Sequence, residues 1–96
     1  MRNYEVAFIA HPELDDNSLN ALLEKAKGWV AASGGQVTNV DLWGRRRLAY
    51  PIRKQTEGQY VFLQTQMTAA ATREVERNLR LTEQVMRFMI IRADED

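Results

Sequence analysis

The architecture of this chain follows from one alternating segment, Tyr60-Val61-Phe62-Leu63-Gln64-Thr65-Gln66-Met67. Its odd-numbered residues lie on one face of a strand and its even-numbered residues on the other, and both faces carry large hydrophobic side chains. Just before it, Thr56-Glu57-Gly58 has the composition of a turn, and residues 37–50 have the pattern of a long strand with a bulge expected at Gly44. The segment is therefore predicted to be the returning strand of a β-hairpin.

A strand and a helix are predicted on the N-terminal side of this hairpin. Residues 4–10 alternate as a strand, which His11-Pro12 ends because proline cannot continue a ladder. Asp15 or Asp16 can cap a helix, and Gly34-Gly35 supplies a left-handed stop. Between these signals, hydrophobic residues recur at helical spacing: Leu19, Leu22, Leu23, Ala26 and Val30. The spacing predicts a helix of about five turns.

The C-terminal side repeats this arrangement. Thr68 can cap a helix whose inner face carries Ala71, Val75 and Leu79, and residues 85–92 alternate as a last strand. The order strand, helix, strand, strand, helix, strand predicts an α+β fold of the ferredoxin-like type, with both helices on one face of a four-stranded antiparallel sheet. We expect a single domain over residues 1–93 and a short acidic tail at residues 94–96.

The predicted sheet has a second face that no helix covers, which we call the open face. The alternation places eight residues on it: Glu5, Ala7, Ile9, Tyr60, Phe62, Arg87, Met89 and Ile91. A sheet face this apolar implies a partner surface.

Composition argues against enzyme chemistry. The chain has no cysteine and one histidine, His11, which beside Pro12 is expected to be a loop or capping residue. The lack of cysteine excludes disulfide scaffolds, iron–sulfur clusters, thiolate metal sites and cysteine nucleophiles. No phosphate-binding glycine loop is present, and residues 11–16 after the first strand are acidic and would repel anions. We therefore expect no enzyme, no metal, no cofactor and no small-molecule substrate.

No hydrophobic run approaches the roughly 20 residues that a membrane span needs, and the N-terminus has no apolar signal core. The sequence therefore predicts a cytoplasmic protein without membrane contact.

Charge is balanced but unevenly placed. Thirteen basic and thirteen acidic residues give a net charge of zero. Residues 42–56 nevertheless contain no acid and five basic residues: Arg45, Arg46, Arg47, Arg53 and Lys54. Trp43 and Tyr50 alternate with these arginines, the side chain that forks onto phosphates and stacks on bases. This basic segment favours RNA over a merely solvated face.

At the same segment the sequence resembles a known family. Residues 43–52 read Trp43-Gly44-Arg45-Arg46-Arg47-Leu48-Ala49-Tyr50-Pro51-Ile52 and are similar to the signature of the bacterial small-subunit ribosomal protein six family. The likeness extends over residues 1–92 through Arg2-x-Tyr4-Glu5, His11-Pro12, Gly58-x-Tyr60 and Val85-x-Arg87-x-Met89-x-x-Arg92. The resemblance implies the ferredoxin-like fold and a structural protein of the small subunit. It also implies that the protein binds the central domain of small-subunit ribosomal RNA as a pair with ribosomal protein eighteen.

The resemblance also implies which residues make contacts. RNA contact is implied for Arg2, Arg45, Arg46, Arg47, Arg87 and Arg92, to which the basic segment adds Arg53 and Lys54. Packing against RNA or the partner is implied for Tyr4, Tyr50, Tyr60 and Phe62, to which the open face adds Met89 and Ile91. A neutral chain should bind RNA weakly alone, because counterion release drives affinity, and should gain affinity beside a basic partner protein.

Two other functions fit parts of the pattern. A free single-strand RNA-binding module resembling an RNA-recognition motif would stack bases on Tyr60 and Phe62, but the third strand lacks the expected basic-glycine-aromatic run. A ligand-sensing regulatory domain that dimerises through the sheet face would not need three consecutive arginines at a strand end.

Overall fold

The computed structural model describes residues 1–93 and has the predicted order of elements. These are β1 (Arg2–Ala10), α1 (Asp16–Ala32), β2 (Gln36–Ile52), β3 (Gln55–Met67), α2 (Ala69–Arg80) and β4 (Val85–Arg92). The strands form one antiparallel sheet in the order β2-β3-β1-β4. The predicted ferredoxin-like fold is confirmed, and the predicted tail at residues 94–96 lies outside the described residues.

Both helices begin at the predicted caps. The Asp15 carboxylate accepts a hydrogen bond from the Ser18 backbone N–H at 2.7 Å, and Thr68 Oγ1 accepts one from the Ala71 N–H at 3.1 Å. The backbone and side-chain hydrogen bonds from Ser18 hold the pKa of Asp15 below its ordinary value. Helix α1 ends at Ala32 with Ser33 as its C-cap, and of the two glycines that follow, Gly34 takes the left-handed conformation, with φ of 86°.

The hydrophobic core lies between the helices and one face of the sheet. All the predicted inner positions of α1 and α2 are buried, and they pack with Val6, Phe8, Ala10, Val61, Leu63, Met67 and Val85 from the strands. The polar side chains that share this side are satisfied. Gln59 Nε2 donates to the carbonyl oxygens of His11 and Leu14, and Thr65 Oγ1 donates to that of Tyr4. The two Gln59 bonds fix the loop after β1 against the sheet.

The hairpin turn is not where the sequence predicted it. Ile52 pairs with Gln55, so the chain reverses at Arg53-Lys54, and the predicted turn residues Thr56-Glu57-Gly58 belong to β3. Both turn residues have positive φ, 50° and 66°. Two-residue hairpin loops of this kind normally use asparagine or glycine, so composition alone pointed to the wrong residues. The bulge predicted at Gly44 is confirmed by its φ of 77° and a register shift beside it.

No helix within residues 1–93 is long and apolar enough to cross a membrane.

Candidate protein and nucleic-acid interface

The open face is a shallow apolar groove. Every residue that the alternation placed there lines a depression of about 240 Å³, together with parts of Phe8 and Phe88. Met89 is 59% exposed and Ile91 is 46% exposed, whereas Tyr60 and Phe62 are partly buried. The buried side chains of α1 and α2 pack against the other face of the sheet. The groove is therefore the hydrophobic surface that the sequence predicted.

Trp43 extends this surface toward β2. Its ring lies 4.6 Å from the Phe62 ring, measured between centroids, and its Nε1 donates a 3.0 Å hydrogen bond to the Asp41 carboxylate. The Arg46 guanidinium lies over the indole, 5.5 Å from its centroid, and 49% of Trp43 remains exposed. The sequence placed Trp43 in the basic segment but did not predict its packing on Phe62 at the edge of the open face. The bulge at Gly44, which the sequence did indicate, shifts the strand register beside this residue.

The open face also carries negative charge. Glu5 lines the groove, and its carboxylate accepts a 2.7 Å hydrogen bond from Gln64. Asp41 lies beside Trp43 at the β2 edge. Each carboxylate has a guanidinium group in the same region, Arg87 in the groove and Arg46 over the Trp43 ring, so the charge of this surface is mixed.

The three consecutive arginines of β2 have three different environments. Arg45 donates a 2.7 Å hydrogen bond to the carbonyl oxygen of Pro12, and so ties β2 to the loop after β1. Arg46 lies over Trp43 and donates to its carbonyl oxygen at 3.4 Å. Arg47 is exposed, and its side chain makes no hydrogen bond or ion pair to another residue in the described part of the chain. Alternation along the strand separates Arg46 from Arg45 and Arg47, and the bond to Pro12 distinguishes Arg45 from Arg47.

The basic residues around the hairpin turn also differ. The Arg53 guanidinium donates to the carbonyl oxygens of Glu83 at 2.8 Å and Val85 at 3.2 Å. Arg87 donates to the Tyr50 hydroxyl and lies 5.4 Å from the centroid of that ring. Lys54 is exposed and has no such bond within residues 1–93.

The predicted RNA-contacting residues do not form one patch. Arg87 pairs with Ile9 and lies near the hairpin end of the sheet, whereas Arg2 and Arg92 lie at the opposite end, beside Met67 and Tyr4. The two ends of β1 are roughly 26 Å apart, since a strand rises about 3.3 Å per residue. The structure thus divides the set into a hairpin group and a pair at the other end.

Tyr4 does not lie with the other predicted partner-binding residues. It is partly buried and packs against the core on the helix side of the sheet. The reason is the alternation itself, because Tyr4 shares the parity of Val6 and Phe8. Tyr50, Tyr60, Phe62, Met89 and Ile91 are on the other side, at the groove or next to it.

His11 is engaged in local structure. Its Nδ1 accepts a 3.1 Å hydrogen bond from the Glu13 N–H in the loop between β1 and α1. Residues 1–93 contain no group of three or more histidine, aspartate or glutamate side chains that could hold a metal ion.

Comparison with known proteins places this geometry in a family. The family model described as ribosomal protein S6 matches residues 3–92. The chain is 47% identical to small ribosomal subunit protein bS6 of Clostridium novyi over 99% of this chain and 100% of that protein. It is 43% identical to the bS6 protein of Moorella thermoacetica over 100% of this chain and 98% of that protein.

A solved structure agrees with the sequence relatives. The crystal structure of 30S ribosomal protein S6 from Thermotoga maritima superposes with a TM-score of 0.89 at 28% identity, covering 95% of this chain and 86% of that one. The chain belongs to the ribosomal protein S6 family, whose members are structural proteins of the small subunit of the cytoplasmic ribosome and not enzymes.

Proposed function

We propose that this protein binds the central domain of small-subunit ribosomal RNA together with ribosomal protein eighteen. In this proposal the partner protein covers the open face, and RNA is held by basic residues at the two ends of the sheet. Family membership supports the ribosomal setting. The surface of the chain supports the assignment of the partner protein to the open face and of RNA to the basic residues.

The observation that carries the proposal is the apolar groove of the open face. Ala7 of β1 lies between Phe62 of β3 and Met89 of β4, and the Trp43 ring of β2 packs on Phe62, so apolar side chains extend across all four strands. A contiguous apolar surface on a small domain marks an interaction site. We assign the partner contact to Trp43, Tyr50, Tyr60, Phe62, Met89 and Ile91.

The RNA contacts are assigned by the bonds that each basic side chain already makes. The side chains of Arg47 and Lys54 are exposed and have no hydrogen bond within the described residues, and Arg46 is exposed with its guanidinium over the Trp43 ring. Arg2 and Arg92 are added because the family resemblance implies RNA contact at the other end of the sheet, and these five residues are the proposed phosphate contacts. A handful of contacts on a neutral chain gives weak binding alone, and a basic partner protein on the open face would supply the remaining affinity.

Base stacking on Tyr60 and Phe62, as in an RNA-recognition motif, is disfavoured by two observations. Both rings are partly buried, and β3 lacks the basic-glycine-aromatic run that such a module has on its third strand.

The test is an RNA-binding titration with a fragment that spans the central domain. We expect weak binding by this chain alone at physiological salt, and much tighter binding by an equimolar mixture with ribosomal protein eighteen. Equally tight binding by the chain alone would contradict the shared interface. Sedimentation of a cell lysate should also place the protein in the small-subunit fractions.

A further inference from the structure

The tip of the hairpin is tied to the opposite edge of the sheet. Strand β1 ends at Ala10, which pairs with Gln59, so residues 46–58 of the hairpin extend past it. There the Arg53 guanidinium donates to the carbonyl oxygens of Glu83 and Val85, at the start of β4. Strands β2 and β4 are the two edges of the sheet. These bonds therefore join elements that the sheet itself keeps apart.

A second contact closes the same gap. Arg87 of β4 donates to the hydroxyl of Tyr50 and lies over that aromatic ring. We call the Arg53 bonds and the Arg87–Tyr50 contact together the clamp. Each contact of the clamp is made by an arginine, Arg53 or Arg87, that was predicted from the sequence to contact RNA.

The turn itself requires such support. Arg53 and Lys54 both have left-handed backbone conformations, which residues with a β-carbon adopt unfavourably. The two bonds of Arg53 supply a specific stabilisation that the neighbouring Lys54 does not.

We infer that Arg53 is a positioning residue, which fixes the hairpin tip against the segment between α2 and β4. It thereby sets the orientation in which Arg46, Arg47 and Lys54 are presented, and it is not itself a phosphate contact. The evidence for the clamp is the geometry of the free chain and does not depend on the proposed function. The part of the inference that concerns RNA rests on the proposed function.

Hydrogen exchange of the free full-length chain tests the clamp. Arg53→Ala and Lys54→Ala are matched variants, because each removes one positive charge from a turn position with positive φ and only the first removes the bonds. In Arg53→Ala, we expect exchange to accelerate about tenfold at the Gln55 amide and at the Val85 amide, which donates to Thr82. We expect a change of less than about twofold in Lys54→Ala. Equal effects in the two variants, or no acceleration in Arg53→Ala, would overturn the inference.

Arg53→Lys provides a second variant in case Arg53→Ala does not fold. Its ammonium keeps the charge and nearly the length of the arginine side chain but lacks the planar fork that reaches both carbonyl oxygens, so exchange should be faster than in the parent and slower than in Arg53→Ala. An exchange rate equal to that of the parent in Arg53→Lys would contradict the need for both bonds.

The salt dependence of RNA binding separates positioning from phosphate contact. With ribosomal protein eighteen present, Arg53→Ala should weaken affinity about threefold to tenfold and leave the slope of log affinity against log salt unchanged. A fall in that slope of about 0.7 to 0.9 would identify a lost phosphate contact and overturn the inference. If the parent mixture does not bind RNA, the proposed function fails, whereas the exchange result still decides the clamp.

Discussion

Gly58 lies against Ile9 so closely that a β-carbon on Gly58 would overlap the Cγ2 atom of Ile9. The same carbon would also lie 3.6 Å from Leu48 Cδ2. Gly58 is thus required for the close approach of the hairpin to β1. It does not serve the turn that the sequence predicted at this place.

Gly58→Ala should therefore destabilise the protein by about 1–3 kcal/mol, as expected when a well-packed site is overfilled. Urea denaturation measures this change. Gly28→Ala is the control, since a β-carbon there meets nothing within 4 Å and should stabilise α1 by about 0.5–1 kcal/mol. In the double variant Gly58→Ala/Ile9→Ala the overlapping Cγ2 atom is absent, so the free energy of unfolding should fall by less than the sum of the two single losses. A strictly additive loss would contradict the overlap.

Gln59 should contribute to stability through its two carbonyl partners. It is 9% exposed, and its Nε2 donates to His11 at 3.2 Å and to Leu14 at 2.9 Å. Gln59→Leu should lower the free energy of unfolding by about 1–3 kcal/mol, because two partly buried carbonyl groups lose their partner. Gln36→Leu, at an exposed position, should change it by less than about 0.5 kcal/mol. A similar loss in both variants would show that the loop after β1 does not depend on Gln59.

Asp15 gives the stability a pH dependence of known sign. Hydrogen bonds from Ser18 lower the pKa of Asp15 in the folded chain. The associated stabilisation is complete above the unfolded-state pKa and is lost as pH falls through the folded-state pKa. Asparagine can accept the same cap bond but does not titrate. Between about pH 5 and about pH 2, Asp15→Asn should therefore lose less stability than the parent in urea titrations. Parallel curves would show that the cap does not depend on the charge.

A charge introduced on the open face should leave the stability of the fold unchanged but weaken binding to the partner protein. Met89→Asp replaces a side chain that is 59% exposed, so the free energy of unfolding should change by less than about 0.5 kcal/mol. Binding to ribosomal protein eighteen should weaken at least about tenfold in a pull-down or calorimetric titration, because a carboxylate would be buried without a partner. Leu81→Asp is the matched control, since Leu81 is 72% exposed at the end of α2, away from the groove. Equal binding by both variants would remove the open face from the interface.

Replacing Arg45 and replacing Arg47 should have different effects on RNA binding and stability, although a single residue separates them. Arg47→Ala should reduce the slope of log affinity against log salt by about 0.7 to 0.9 and leave the melting temperature unchanged. Arg45→Ala removes the bond to Pro12 and should lower the melting temperature with little change in slope. The salt slope and the melting temperature together show whether the hydrogen bonds of the free chain distinguish a structural arginine from one that contacts RNA.

The sequence was sufficient for those features that depend on local periodicity. Residues 60–67 alternate, and that alternation correctly separated the core residue Leu63 from the open-face residue Phe62. The caps at Asp15 and Thr68 were likewise predictable, because a side chain that bonds to a nearby N–H needs no tertiary partner.

What the sequence did not predict depends on long-range contacts. The turn at Arg53-Lys54 lacks the usual turn residues, and Arg53 finds its partners at Glu83 and Val85, about thirty positions away in the chain. Arg45 finds Pro12 in the same way. Whether an arginine faces a carbonyl oxygen or solvent depends on the folded arrangement of distant segments, and no pattern of neighbouring residues records it.

The strand order has a consequence for how the chain acquires its structure. Strand β1 is synthesised before the other three strands of the sheet but is an inner strand, and Val6 pairs with both Leu63 and Ile90. Neither pairing can form until most of the polypeptide has left the synthesising ribosome, so β1 emerges long before its neighbours and must wait for them. Closing such large loops carries an entropic cost that precedes any gain from pairing, which slows folding compared with a helical bundle of similar length. The nascent β1 segment is thus the part of the chain that remains exposed the longest before it is enclosed.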